Sequence, residues 1–152
     1  MVRLRRTKEI GLSVLLLDSA DLMMLRPTEF ADETNDCAVF ALSSLLDCSY
    51  EMAHEALRIA GRIRRQGFKL RPYMNERTEI FGFNIRPVHP LAYCPLRTVV
   101  ANYPLGRFLC VVPRHCTAII DGKVFDHKPS HYLECRMEDV WRFYRSDEVS
   151  KI

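Results

Sequence analysis

Apolar positions along the chain fall into short runs cut by polar and proline-bearing joints, and the spacing within each run predicts its element. The first run, Ile10 to Leu17, is too short for periodicity to separate strand from helix; Leu22-Met23-Met24-Leu25 continues it and Pro27 ends it. From Thr28 to Asp36 the chain turns polar and acidic, as suits a loop entering a helix N-terminus. A helix is predicted from about Asp36 to Asp47, where Ala38, Val39, Phe40, Ala41, Leu42, Leu45 and Leu46 leave little polar surface, so this is the expected buried central helix. Ser49 then caps a second helix whose Met52, Ala53, Ala56, Leu57, Ile59, Ala60 and Ile63 form one stripe, with Arg62, Arg64 and Arg65 in its last turn and Gly67 as its stop. The two helices are expected to form an antiparallel pair with a very short joint.

Phe68 to Pro90 reads as an irregular connection with short β-prone pieces such as Ile80-Phe81-Gly82-Phe83, a length that often marks a binding or lid segment. Leu96 to Asn102 fits one more short helix before Pro104. After it the pattern changes. Phe108 to Val112 is a buried-strand run, and Thr117 to Asp126 reads as a hairpin about Asp121-Gly122, a dipeptide strongly favoured in two-residue turns. Met137 to Tyr144 can present Val140, Trp141 and Tyr144 on one face of a last helix. Helices first and sheet second point to an α+β fold.

Composition narrows the class without naming a function. The chain has 152 residues, 48% hydrophobic and 27% charged, which suits one domain (1–152) with a core large enough to need no staples. No apolar run approaches the roughly 20 residues of a membrane span. The start, Met1 to Arg6, carries the charge of a signal-peptide n-region, but the apolar run after it is too short and leads into Asp18 and Asp21, so a cytoplasmic location and no membrane partner are expected. The six cysteines are not spaced as a disulfide framework, which makes reduced thiols the default. The six glycines stand alone, so no nucleotide-binding fingerprint exists and no cofactor is expected.

The candidate chemistry starts at Asn35-Asp36-Cys37, where a polar stretch meets the first turn of the central helix. Unpaired N–H groups and the helix dipole favour a thiolate there. A thiolate nucleophile needs a base to take and return its proton, and the base needs a partner that fixes its ring. The hairpin offers both: if Asp121 and Gly122 form the turn, Ile120 pairs with Lys123, Thr117 faces Asp126, and His115 lies diagonally from Asp126 on the same face, within reach of a carboxylate–imidazole contact.

With Asn35-Asp36-Cys37 at a helix start, a helix pair ending near Gly67, and Gly106-Arg107-Phe108-Leu109 leading to His115 and then Asp126, the chain resembles the papain-like cysteine peptidase superfamily. Within it, the chain is similar to the leader peptidases of bacteriocin exporters and to small uncharacterised papain-fold proteins often found in phage genomes. The likeness spans Asn35 to Asp126 and leaves 1–30 and the tail after Pro129 outside it. It implies a papain-like fold, Cys37 as nucleophile, His115 as general base and acid, Asp126 as orienter, and acyl transfer from a protein or peptide substrate through a thioester. Where the family usually carries an oxyanion-hole glutamine, six residues before the cysteine, this chain has Ala31; Asn35, together with the Cys37 N–H, is the substitute. A binding protein with a weak or inactive triad, for example a phage-encoded inhibitor or accessory factor, is the alternative.

Other residues have plainer readings beside the chemical ones. Asp36 suits the N-cap, and Asn35 can cap as well as donate to an oxyanion. Asp121 belongs to the turn and Cys116, next to His115, to the core on the opposite strand face. His54 reads as a surface or internally satisfied histidine. His127-x3-His131-x3-Cys135 has metal-ligand spacing, but Pro129 lies inside it and no Cys-x-x-Cys accompanies it, so no metal is expected. The arginines from Arg58 to Arg71 read as a solvated helix end, with nucleic-acid binding as the alternative.

Overall fold

The computed structural model describes residues 25–147 and the backbone of two short strands, β1 (Arg5–Thr7) and β2 (Val14–Leu16), which pair antiparallel. The run from Ile10 to Leu17 thus contains a strand, while Leu22 to Met24 and the first four residues, Met1 to Leu4, lie outside the described residues. The rest is α+β: four helices, α1 (Cys37–Leu46), α2 (Tyr50–Ile59), α3 (Leu70–Asn75) and α4 (Arg97–Asn102), and six strands in one antiparallel sheet. Those strands are β3 (Glu79–Ile80), β4 (Phe83–Pro87), β5 (Arg107–Val112), β6 (His115–Ile120), β7 (Lys123–Phe125) and β8 (Asp139–Arg145), in the order β3-β4-β8-β5-β6-β7. No helix among the described residues is long and apolar enough to cross a membrane.

Both faces of the sheet are covered. Leu109, Cys116, Ala118, Trp141 and Phe143 face α1, α2 and α3, whereas Phe108, Cys110, Val112, Ile119 and Val140 face α4 and the segment around Met137. The central helix α1 lies across β5 and β6. Nine of its ten residues are buried, and its two serines solve their own burial by donating to the Phe40 carbonyl at 2.9 and 3.0 Å. Its C-terminus is pinned by Arg107, which donates to the Leu45 carbonyl at 2.8 Å and pairs with Asp47, while Arg145 of β8 reaches the same carboxylate. A buried helix held at its end by a strand residue cannot slide along the sheet, so the position of Cys37 above the β5–β6 pair is set by Arg107, more than sixty residues from the helix end it holds.

Several elements differ from the sequence expectation. Met137 to Tyr144 is not a helix: its core is β8, between β4 and β5, with Leu109 opposite Trp141. Being buried on both faces, the strand carries adjacent apolar residues instead of a clean alternation, which the helical spacing of Val140, Trp141 and Tyr144 imitates. The second helix ends at Ile59, not near Gly67, because Gly61 at φ 110° turns the chain away. Met52, Ile59 and Ile63 are consequently exposed at 53, 73 and 61%, and the buried stripe is Tyr50, Ala53, His54 and Leu57. The connection from Phe68 to Pro90 is ordered: it contains α3 and the β3–β4 hairpin, whose turn at Phe81 and Gly82 has positive φ at both residues.

Candidate active site

Cys37 is the first residue of α1, and the segment that delivers it is fixed by three charged clamps. Asp36, in the N-cap position, does not cap the helix. Its carboxylate instead accepts two hydrogen bonds from Arg26 at 2.9 Å and one from the Tyr50 hydroxyl at 2.7 Å, which ties the helix start to α2. Glu33 is buried and accepts from Arg62 through both terminal nitrogens at 3.1 Å, from His54 at 2.6 Å and from the Arg65 backbone N–H at 2.5 Å. Burial disfavours the charged carboxyl, but the Arg62 and His54 hydrogen bonds outweigh it and hold Glu33 down to about 2. Arg64 pairs with Asp32 at 2.5 Å. Within the cluster Arg58, Arg64, Arg65 and Arg71 are exposed, as expected of a solvated end, but Arg62 is buried at 5% exposure, and Arg62 and Arg64 brace the loop that carries Cys37.

Asp121 and Gly122 form the hairpin turn, and Ile120 pairs with Lys123 as the turn chemistry requires. The ladder closes at Ala118 and Phe125, leaving Asp126 one residue past β7. From there its carboxylate accepts from His115 Nε2 at 2.5 Å. With Nε2 engaged by Asp126, Nδ1 is the ring nitrogen left for Cys37, which lines the same recess and is coupled to the imidazole electrostatically. The structure thus brings Cys37, His115 and Asp126 together. Tyr132 stacks on the imidazole, with ring centroids 4.0 Å apart and planes at 14°, so the ring is fixed by a flat contact as well as by the carboxylate.

The electrostatics follow from these contacts. The Cys116 thiol donates to Cys37 Sγ at 3.4 Å, and with His115 it outweighs burial and brings the Cys37 thiol down to about 5. Burial opposes a charged His115, but the hydrogen bonds to Asp126 and Cys37 overcome it and raise the ring to about 9. At neutral pH the pair is accordingly thiolate and imidazolium. The Cys116 thiol is pushed well up by its neighbour Cys37 and by burial, which keeps it protonated as a donor.

Cys37 stands between two recesses. One, of about 190 Å³, is bounded by Asp36, Phe40, His115, Phe125 and Asp126. The other, of about 660 Å³, runs along Phe68, Leu70, Val111 and Arg114. Asn35 sits at the rim of the first recess, but its side-chain amide donates to the Arg65 carbonyl at 3.1 Å, and the residue has a positive φ of 53°. The amide intended for the oxyanion is thus engaged elsewhere, and the Cys37 N–H, in the first helical turn where N–H groups lack intrahelical acceptors, is the donor the site offers. Ala31 is exposed and has no side-chain donor to add.

Three participants escaped the sequence reading. Cys116 does lie in the core, on the sheet face that α1 covers, so its sulfur meets Cys37; its adjacency to His115 was the available signal. Glu33 was one acid among several in a polar loop, and nothing local marked it as buried. Tyr132 lies in the segment beyond the hairpin, without a periodic pattern to place it. His54 is internally satisfied, by Glu33. Among the described residues no group of three His, Cys, Asp or Glu side chains is placed to hold a metal ion. Comparison with protein-family models, with curated proteins and with solved structures gave no match to this chain.

Proposed function

We propose that the protein is a papain-like cysteine hydrolase that cleaves a peptide, isopeptide or amide bond through a thioester. The observation that carries this reading is the Asp126–His115–Cys37 relay, with the sulfur at the junction of two recesses. An extended acyl chain lying along the larger recess would present its carbonyl carbon to Cys37 Sγ. The thiolate attacks that carbon, the Cys37 N–H receives the developing oxyanion, and the His115 imidazolium passes its Nδ1 proton to the leaving amine. The neutral ring then takes a proton from water, the hydroxide equivalent cleaves the thioester, and Cys37 leaves as thiolate. Asp126 holds the ring orientation and stabilises its charged form throughout.

The engaged Asn35 amide favours a second reading, a papain-fold binding protein with a slow triad. Removing one oxyanion donor typically lowers kcat by about a hundredfold or more. Two measurements separate the readings. A peptide vinyl sulfone should add covalently to Cys37 at neutral pH, and His115→Ala should abolish the adduct. A library of peptide and isopeptide bonds should be cleaved by the wild type and not by Cys37→Ala. Cleavage at an unchanged rate by Cys37→Ala would overturn the hydrolase reading, and a wild type that neither reacts nor cleaves would leave the binding role.

A further inference from the structure

The hydrolase mechanism gives no covalent task to Cys116, yet its sulfur lies 3.4 Å from the nucleophile. The two thiols come from different elements, the start of α1 and the start of β6, and converge with Cys116 beneath Cys37. Both residues line both recesses, Cys37 half-buried and Cys116 only 5% exposed. An oxidant entering the cleft therefore meets Cys37 first and finds Cys116 directly behind it. This is the arrangement of an attacking thiol and a resolving thiol. Disulfide formation needs the sulfurs to close from 3.4 Å to about 2.05 Å.

We propose that Cys37 and Cys116 form a reversible peroxide-sensitive dithiol, whose disulfide removes the nucleophile of the site. The Cys37 thiolate attacks one oxygen of a hydroperoxide; the O–O bond breaks, the sulfur is oxidised to sulfenic acid, and the other oxygen leaves as an alcohol or water with the proton held by His115. Cys116 then attacks the Cys37 sulfur, the S–O bond breaks, and hydroxide leaves to take the Cys116 proton as water. One dithiol and one hydroperoxide thus give one disulfide, one alcohol (water, from hydrogen peroxide itself) and one water. The first step also prepares the second: sulfenic acid formation removes the anion that holds the Cys116 proton in place. Two equivalents of an external thiol reverse the reaction. Without Cys116, the sulfenic acid faces further peroxide and proceeds to sulfinic acid, which thiols do not reduce.

The consequence for hydrolysis rests on the reading given above; the disulfide does not. The test treats the full chain with hydrogen peroxide and maps its peptides without reduction. The wild type should yield a peptide pair joined through Cys37 and Cys116, with both thiols lost to alkylation together and both restored by dithiothreitol. Cys116→Ala should instead give a Cys37 peptide about 32 Da heavier, which dithiothreitol does not restore. Cys48→Ala, outside the pair, should still form the cross-link. Sulfinic acid at Cys37 of the wild type to the same extent as in Cys116→Ala, with no joined peptide, would overturn the proposal; so would a Cys37 left unoxidised while the other exposed thiols react. Because mass and thiol loss are the readouts, a cross-link without any hydrolase activity would refute the hydrolase reading alone, and hydrolysis without a cross-link would refute the dithiol alone.

Discussion

Replacing Glu33 by Gln should destabilise the protein far more than an exposed loop acid would. The Glu33 side chain is 0% exposed and that of Arg62 1%, and Arg62 Nε is buried with no partner among the described residues, so Glu33 is the anion that balances the guanidinium. Breaking a buried pair by removing one member leaves the other charge uncompensated, at a cost of about 3–5 kcal/mol. In urea, with a slope of about 2 kcal/mol per M for a chain of this size, the unfolding midpoint should fall by about 2 M. The double variant Glu33→Met with Arg62→Met should lose less than Glu33→Gln alone, since no buried charge is stranded. The acid limb supplies an independent check. Glu33 is lowered from the ordinary carboxyl value to about 2, so its contribution is fully present above the unfolded value and is lost as pH falls towards about 2. Glu33→Gln should therefore flatten the stability curve on the acid side. A midpoint within about 0.5 M of wild type, the roughly 1 kcal/mol of a surface ion pair, would refute the claim that this carboxylate clamps the loop bearing Cys37.

Two further outcomes follow from the paired charges at the site. Alkylation of Cys37 by iodoacetamide should rise as pH passes about 5 and keep its ion-pair character up to about 9, the window in which Cys37 is ionised and His115 protonated; in His115→Ala, where the Cys116 thiol still favours the thiolate but the imidazolium is gone, the rise should move to higher pH and labelling at about pH 6.5 should fall below wild type. An alkylation profile with its midpoint near that of a free thiol in the wild type would show that no pair forms. Asp126→Asn keeps a hydrogen-bonding oxygen but removes the charge that helps hold His115 at about 9, so the pH at which the His115 ring loses its proton, read by NMR titration, should drop towards the ordinary histidine value; an unmoved titration would exclude Asp126 as the partner that matters.

Local chemistry accounts for the parts of the site that the chain order announces. The apolar density from Ala38 to Leu46 can only be a buried helix, which puts Cys37 at its first turn. Asp121-Gly122 fixes the β6–β7 register, and the register carries Asp126 to His115. Both are short-range constraints, a helical period and a two-residue turn, and they act wherever the rest of the chain goes.

What those constraints leave open was decided by tertiary packing. Whether Val140, Trp141 and Tyr144 belong to a helix or a strand depended on the gap between β4 and β5, which β8 fills. Asp36 suits an N-cap by type, but Arg26 and Tyr50 compete for its oxygens and win, because a cation and a buried hydroxyl bind a carboxylate more strongly than a backbone N–H does. Arg62 reads as one of a solvated run, but the turn at Gly61 brings it against the buried Glu33. Above all, the face of β6 that α1 covers determined that Cys116 would lie under Cys37. Sequence by itself determined the helix that begins at Cys37 and the hairpin that joins His115 to Asp126; only the packing of that helix on that sheet decided which sulfur and which ring meet Cys37, since those residues lie some eighty positions from it and no local period encodes the approach.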